Sequence, residues 1–257
     1  MPTRGTATAI TAPTVFDGER LLPHHCVVVQ GEAIAQLLPV EECPAGLDVI
    51  ALEQGILAPG FIDLQVNGGG DLMLNNAPES ATVNAMHGAH RALGTTSMLP
   101  TVMSDKREVQ QAAANAVRAA RSGGNPGIAG IHIEGPFFAP ARRGAHSAAM
   151  IRPAETGDMD WLCALADLTV IVTLAPEQVS PEQIERLVRN GVHVCAGHTD
   201  ASYQQIRDAS GRGLQGITHL YNAMRPLTAR EPGVVGAALD DDGLWAGLIA
   251  DGHHVHP

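Results

Sequence analysis

Three segments of this chain end an apolar run in side chains that bind metals or move protons: Gly130-Ile131-His132-Ile133-Glu134, Val194-Cys195-Ala196-Gly197-His198 and Ile217-Thr218-His219. Alternate residues of a strand share a face, so His132 and Glu134 fall on one side, Ile131 and Ile133 on the other. Glu134, His198 and His219 together offer one carboxylate and two imidazoles, the oxygen and nitrogen set that zinc and similar divalent ions take, with a position left open for water. An open set of this kind is catalytic rather than structural. A single strand-end histidine reads as a hydrogen-bonded core residue, but two on successive strands joined by an inward Glu point to a metal. His132 is read as structural, with a supporting role behind the ligands as the alternative. A fourth segment, Leu248-Ile249-Ala250-Asp251-Gly252-His253-His254-Val255-His256-Pro257, is either a solvated metal-binding tail or, as its place after a strand favours, a loop of the active site. Arg225 and Arg230 follow His219 and are the nearest cations for an anionic substrate, a solvated surface role being the alternative for Arg225.

Other chemistries lack their anchors. His132-Ile133-Glu134 opens the zinc-deaminase signature, but the downstream P-C-x-x-C is missing. No Gly-x-Ser-x-Gly elbow is present, and Asn67-Gly68-Gly69-Gly70-Asp71 is neither a Walker loop nor a dinucleotide fingerprint, so it reads as a flexible loop. Cys26, Cys43, Cys163 and Cys195 form no C-x-x-C pair, which argues for ordinary buried thiols.

The elements that must position these groups alternate. Residues 7–57 predict short strands (8–15, 26–30, 33–38, 49–52) broken by Asp17-Gly18, Pro23, Gly31 and Pro44-Ala45-Gly46, a small β unit. From Phe61 strands and helices alternate, the rhythm of parallel βα units. Strands are expected at 61–66, 95–101, 127–134, 168–174, 192–197, 216–219 and 245–250. Helices are expected at 79–93, 106–121, 158–166, 181–190 and 202–211, with a further helical stretch at 234–239. Ser180, Pro181 and Gln183 form a capping-box start, Ile184, Leu187 and Val188 the buried stripe, and Gly191 the stop. The pattern favours a (β/α)8 TIM-like barrel over an open doubly wound sheet, incomplete because about seven strands are present.

The chain has 257 residues and a net charge of −11, which argues against nonspecific nucleic-acid binding. With 45% hydrophobic and 17% charged residues it buries a large core, and with aromatics at 3% that core is built from Ala, Val, Ile and Leu. No apolar run reaches membrane-spanning length and the N-terminus lacks a secretory apolar region, so a cytoplasmic location is expected.

From about Thr8 onward the sequence resembles the N-acetylglucosamine-6-phosphate deacetylases of the amidohydrolase superfamily. The resemblance rests on Ala58-Pro59-Gly60-Phe61-Ile62-Asp63-Leu64-Gln65-Val66-Asn67-Gly68, His132-Ile133-Glu134-Gly135-Pro136-Phe137, Gly144-Ala145-His146 and Ala175-Pro176-Glu177. It continues through Gly197-His198-Thr199, Thr218-His219-Leu220-Tyr221-Asn222-Ala223-Met224, Arg230-Glu231-Pro232-Gly233 and Ala250-Asp251-Gly252-x-His254-Val255. It implies hydrolysis of N-acetylglucosamine-6-phosphate to acetate and glucosamine-6-phosphate, with Glu134, His198 and His219 on the metal. His146, Asn222 and Ala223 would then lie around the sugar phosphate, His254 near the substrate carbonyl as its oxyanion contact, and Arg230 on the phosphate across a homodimer. Residues 1–57 would be a portion of a small β-sandwich and 58–257 the barrel, lacking its last strand and the return to the sandwich. Many amidohydrolases carry H-x-H on the first strand. Here Asp63-Leu64-Gln65 stands instead, and Gln65, a poor ligand, favours one divalent ion over two, Zn2+ first with Fe2+, Mn2+ or Co2+ as alternatives. The family's catalytic aspartate belongs to the eighth strand, which this sequence does not reach. A chain that binds metal and sugar phosphate with impaired turnover, or another metal amidohydrolase, is therefore the alternative expectation.

Overall fold

The computed structural model describes residues 7–257, and the chain divides into two compact units, Met1–Gly60 and Phe61–Pro257. In the first, β1 (Ala7–Phe16), β2 (Leu21–Gln30) and β3 (Ala33–Pro39) form an antiparallel meander, and β4 (Asp48–Ala51) and β5 (Ile56–Leu57) run parallel to β1. The described residues thus form one sheet layer here, with small clusters around Ala9, Cys26 and Val28 and around Ala12, Val15 and Val27. β2 begins earlier than the expected residue 26. Pro23 lies beyond the last pair with β3, His25 with Pro39, where β2 has a single neighbour and a missing N–H is tolerated.

The second unit begins with β6 (Phe61–Val66), a hairpin of β7 (Gly68–Gly69) and β8 (Leu72–Met73), and α1 (Ser80–Arg91). It continues through β9 (Thr95–Val102), α2 (Arg107–Ser122), β10 (Gly130–Glu134), α3 (Thr156–Cys163), β11 (Thr169–Leu174) and α4 (Pro181–Arg189). β12 (His193–Ala196), α5 (Tyr203–Ser210), β13 (Gly216–Ile217), α6 (Gly233–Asp240) and β14 (Trp245–Ala246) complete the described elements. Seven parallel strands pair in the order β6-β9-β10-β11-β12-β13-β14. Each strand joins beside its predecessor and the order never reverses. A doubly wound sheet must reverse at a switch point, so this is the winding of a TIM-like barrel, open between β6 and β14 among the described residues.

Side-chain alternation divides the strands. Ile131, Ile133, Val170, Val172, Val194 and Ala196 face the helices and join Met86, Val117, Leu162, Leu187 and Ile206 in the main core. Leu99, Ile171 and Cys195 point the other way as an apolar layer of the lumen. Ser180 caps α4 as expected, its hydroxyl accepting from the Gln183 N–H, and Gly191 follows with φ +80°.

Two expectations are corrected. Asn67–Asp71 is not a loose loop: Gly68 pairs with Met73 and Gly69 with Leu72, and Gly70 and Asp71 take φ +61° and +62°, the two positive values a tight hairpin turn needs. The strands expected at 216–219 and 245–250 are shorter, because the chain turns left-handed at His219 and the backbone pairing ends at Gly247, which bonds Ile217 and Leu220. No disulfide joins the four cysteines, of which Cys26 and Cys195 are buried. Among the described residues, no helix is long and apolar enough to cross a membrane.

Candidate metal centre

Glu134 ends β10, His198 follows β12 and His219 follows β13, and one ligand atom from each lies within 4.8 Å of the others. All three are buried. His198 Nε2 stands 3.3 Å and His219 Nε2 3.5 Å from Glu134 Oε1, with 3.0 Å between the two nitrogens. The other ring nitrogens fix the tautomers. His198 Nδ1 lies 2.9 Å from the Arg142 carbonyl and His219 Nδ1 3.0 Å from the Asn222 carbonyl. A carbonyl only accepts, so each Nδ1 carries a proton, and in the neutral imidazole each Nε2 presents its lone pair to the cluster. Two imidazole Nε2 atoms and a carboxylate oxygen then converge in a buried space, a donor set that a divalent cation would satisfy.

The electrostatics agree. Burial pulls the His198 imidazole below its ordinary pKa against the opposing pull of Glu134, which keeps it neutral near pH 7. Burial by itself would raise the Glu134 carboxyl, but His146, His198 and His219 around it bring it well below the usual carboxylate range. His198 and His219 hold φ of +49° and +37°, left-handed values that cost a non-glycine residue about 1–3 kcal/mol each and persist where the surroundings over-determine them.

Three supporting groups escape a search for ligand types. Gln65 Nε2 donates to Glu134 Oε1 at 2.7 Å and Asn67 Nδ2 to Oε2 at 3.0 Å. The signal for them was present: two amides at i and i+2 ending an inward strand face. Phe138, fully buried, stacks on the His198 ring at 4.3 Å between centroids and holds its plane. His132 sits deeper, its Nδ1 donating to the Leu64 carbonyl at 2.8 Å and its Nε2 taking the Thr173 hydroxyl at 2.6 Å. Both its nitrogens are thus engaged away from the cluster.

The remaining expected residues lie at different distances from this centre. His146 is buried beside it: its Nδ1 accepts the Ser104 N–H at 3.2 Å, so Nε2 carries the proton, 3.9 Å from Glu134 Oε2. Gly144 brings the same loop over His198, where a β-carbon would stand 3.2 Å from the ring and 3.8 Å from the Ala223 methyl. Asn222 and Ala223 are half-buried beside His219, Ala223 with φ +51°. Arg230 is exposed in a turn between Thr228 and Glu231. His254 is exposed, and no hydrogen bond joins it to the cluster; its ring and N–H bind Asp251. The other terminal histidines, His253 and His256, are exposed too, and they form no metal-ligating cluster among the described residues. Arg225 is not a free cation for an anion, since Asp200 binds its guanidinium at 2.9 Å. A cavity of about 710 Å3 between β6 and β14 reaches Gln65, Asn67, His132, Thr218 and His219.

Residues 56–257 match the Amidohydrolase family, and residues 9–57 match the NagA composite domain. The chain belongs to the amidohydrolase family. An N-acetylgalactosamine-6-phosphate deacetylase of Shewanella sp. (strain ANA-3) is 50% identical over 208 residues, which are 80% of this chain and 52% of the relative. The crystal structure of N-acetylglucosamine-6-phosphate deacetylase from Pasteurella multocida superposes with a TM-score of 0.92 at 35% identity, over 97% of this chain and 66% of that one. The D267A mutant of the Mycobacterium smegmatis enzyme, in complex with N-acetyl-D-glucosamine-6-phosphate, gives 0.89 at 31% identity, over 98% and 65%. The chain thus spans about half to two thirds of the length of these proteins. The amidohydrolase family is metal-dependent, and the buried cluster of Glu134, His198 and His219 is this member's candidate metal site.

Proposed function

We propose that this chain carries the metal centre of an N-acetylhexosamine-6-phosphate deacetylase, which hydrolyses N-acetylglucosamine-6-phosphate to acetate and glucosamine-6-phosphate in amino-sugar catabolism. The observation that carries the reading is the convergence of Glu134 Oε1 with the Nε2 atoms of two imidazoles whose Nδ1 protons are taken by backbone carbonyls. The deacetylase names of the relatives supply the substrate class.

Glu134, His198 and His219 would hold one divalent ion, Zn2+ before Fe2+, Mn2+ or Co2+. When bound, it would lower the pKa of water towards ~7 and polarise the amide carbonyl. The protonated Nε2 of buried His146 is a donor for the sugar, with Asn222 and Ala223 beside it. Arg230 is the residue for the phosphate, contributed to the neighbouring subunit of a homodimer, and His254 the contact for the developing oxyanion. In this reading residues 1–57 are part of a small β-sandwich, residues 58–257 the hydrolase barrel, and the protein works in the cytoplasm.

A binder without turnover is the second reading. Glu134 is the only carboxylate of the cluster among the described residues, and as a metal ligand it is not free to pass a proton from water to the leaving amine. Acetate release from the 6-phosphates of N-acetylglucosamine and N-acetylgalactosamine, with metal and after chelation, tests turnover, while calorimetry on the same samples tests binding. Metal-dependent acetate supports the deacetylase; binding heat without acetate supports the second reading. His198→Ala and His219→Ala should lose metal by elemental analysis, whereas His193→Ala, an exposed residue bonded to Gln215, should keep it. Equal metal in all three would overturn the ligand assignment.

A further inference from the structure

His198 and His219 each depend on a backbone carbonyl to fix the tautomer, and those carbonyls lie in two separate loops, at Arg142 and Asn222. One side chain bridges these loops. Asp200 Oδ1 accepts from Arg142 Nε at 2.9 Å, and Oδ2 accepts from Arg225 at 2.9 Å, three residues beyond Asn222. Asp200 is itself held: its N–H donates to Glu177 Oε1 at 2.7 Å, while Glu177 Oε2 takes the Thr199 hydroxyl at 2.5 Å. The Arg225 N–H also donates to the Thr199 carbonyl at 3.1 Å, so both loops are tied to the segment that carries His198.

We propose that Asp200 is a positioning residue of the metal centre, a carboxylate clasp that holds the Arg142 and Asn222 carbonyls against the Nδ1 protons of His198 and His219. Two left-handed histidines need surroundings that over-determine them, and the clasp acts on both at once. Asp200 touches neither ligand ring; it acts through the backbone of the arginines it binds. This inference rests on the reading of Glu134, His198 and His219 as metal ligands.

The test titrates Co2+ and Zn2+ into the intact chain and its variants against a chelator, with the Co2+ visible spectrum recorded and the melting temperature of the metal-free proteins measured. Asp200→Ala should weaken metal binding about tenfold and shift the Co2+ bands, as loss of an outer partner does elsewhere, with the metal-free melting temperature within a few degrees of the parent. Asp200→Glu, which keeps the charge, should recover part of the loss. Arg142→Met and Arg225→Met should each weaken binding, and adding either to Asp200→Ala should cause little further loss. Should Asp200→Ala fail to fold, these two arginine variants carry the same expectation. Unchanged affinity and spectrum in the folded variants would overturn the clasp while leaving the ligand assignment intact. A parent chain that takes up no metal would overturn the ligand assignment, and the clasp with it.

Discussion

At the scale of single residues, this centre is decided by where protons sit. His198 and His219 carry theirs on Nδ1 because carbonyls face those nitrogens, whereas His146 carries its proton on Nε2 because a backbone N–H faces its Nδ1. Three similar imidazoles in one pocket therefore divide into two ligands and one donor. Gln65 and Asn67 complete the arrangement by fixing the Glu134 carboxylate. Gln65→Ala and Asn67→Ala should each lower Zn2+ affinity by roughly 10- to 100-fold, measured by chelator competition, because a ligand that loses its outer hydrogen bond loses its orientation. Affinities equal to the parent's would show that packing alone orients Glu134.

At the scale of elements, the strands bring the ligands to one level, and the loops after them do the fine adjustment. One ion cluster ties these loops to the helices: Asp158, buried at the start of α3, binds Arg152 at 2.6 Å and also pairs with Arg107 of α2. Burial raises its carboxyl, but the Arg152 hydrogen bond and the neighbouring charges outweigh this and leave it below the ordinary carboxylate value. A carboxyl depressed in the folded state stabilises above its unfolded pKa, and that stability is lost as pH falls through the folded value. Asp158→Asn should therefore cost about 2 kcal/mol at pH 7, and the gap to the parent should shrink below about pH 4. Urea midpoints of both proteins at pH 7 and pH 3 check this; a gap that stays constant would mean the contribution is not ionic.

At the scale of the whole molecule, β6 and β14 each have one ladder partner in the seven-stranded sheet among the described residues, and Phe61, Ile62 and Leu248 are exposed along or beside them. Unpaired edges with apolar side chains are templates for pairing with another chain. The isolated 257-residue chain should associate as its concentration rises, and Ile62→Lys should shift it towards monomer by light scattering, since a charge on an edge strand blocks added pairing. Identical scattering by both proteins would place the association elsewhere.

Much of the second unit was legible in the chain itself. Apolar periodicity of two and of 3.6, with Ser180-Pro181 and Gly191 as punctuation, located the strands and helices of the second unit to within a few residues. Ligand chemistry at strand ends picked out Glu134, His198 and His219, because two imidazoles on successive strands together with an inward carboxylate make a ligand set that one strand-end histidine does not. The Asn67–Asp71 hairpin was missed because glycines license many turns and only the pairing of Gly68 with Met73 selects one. Tautomers, the amide donors on Glu134, the engagement of Arg225 by Asp200 and the exposure of His254 were likewise beyond it. Local patterns are fixed by residues close along the chain, and so the sequence alone determined the elements and the ligand types. Hydrogen-bond partners 20 to 70 positions apart exist only once the sheet has closed the distance, so the tertiary structure alone decided which groups meet.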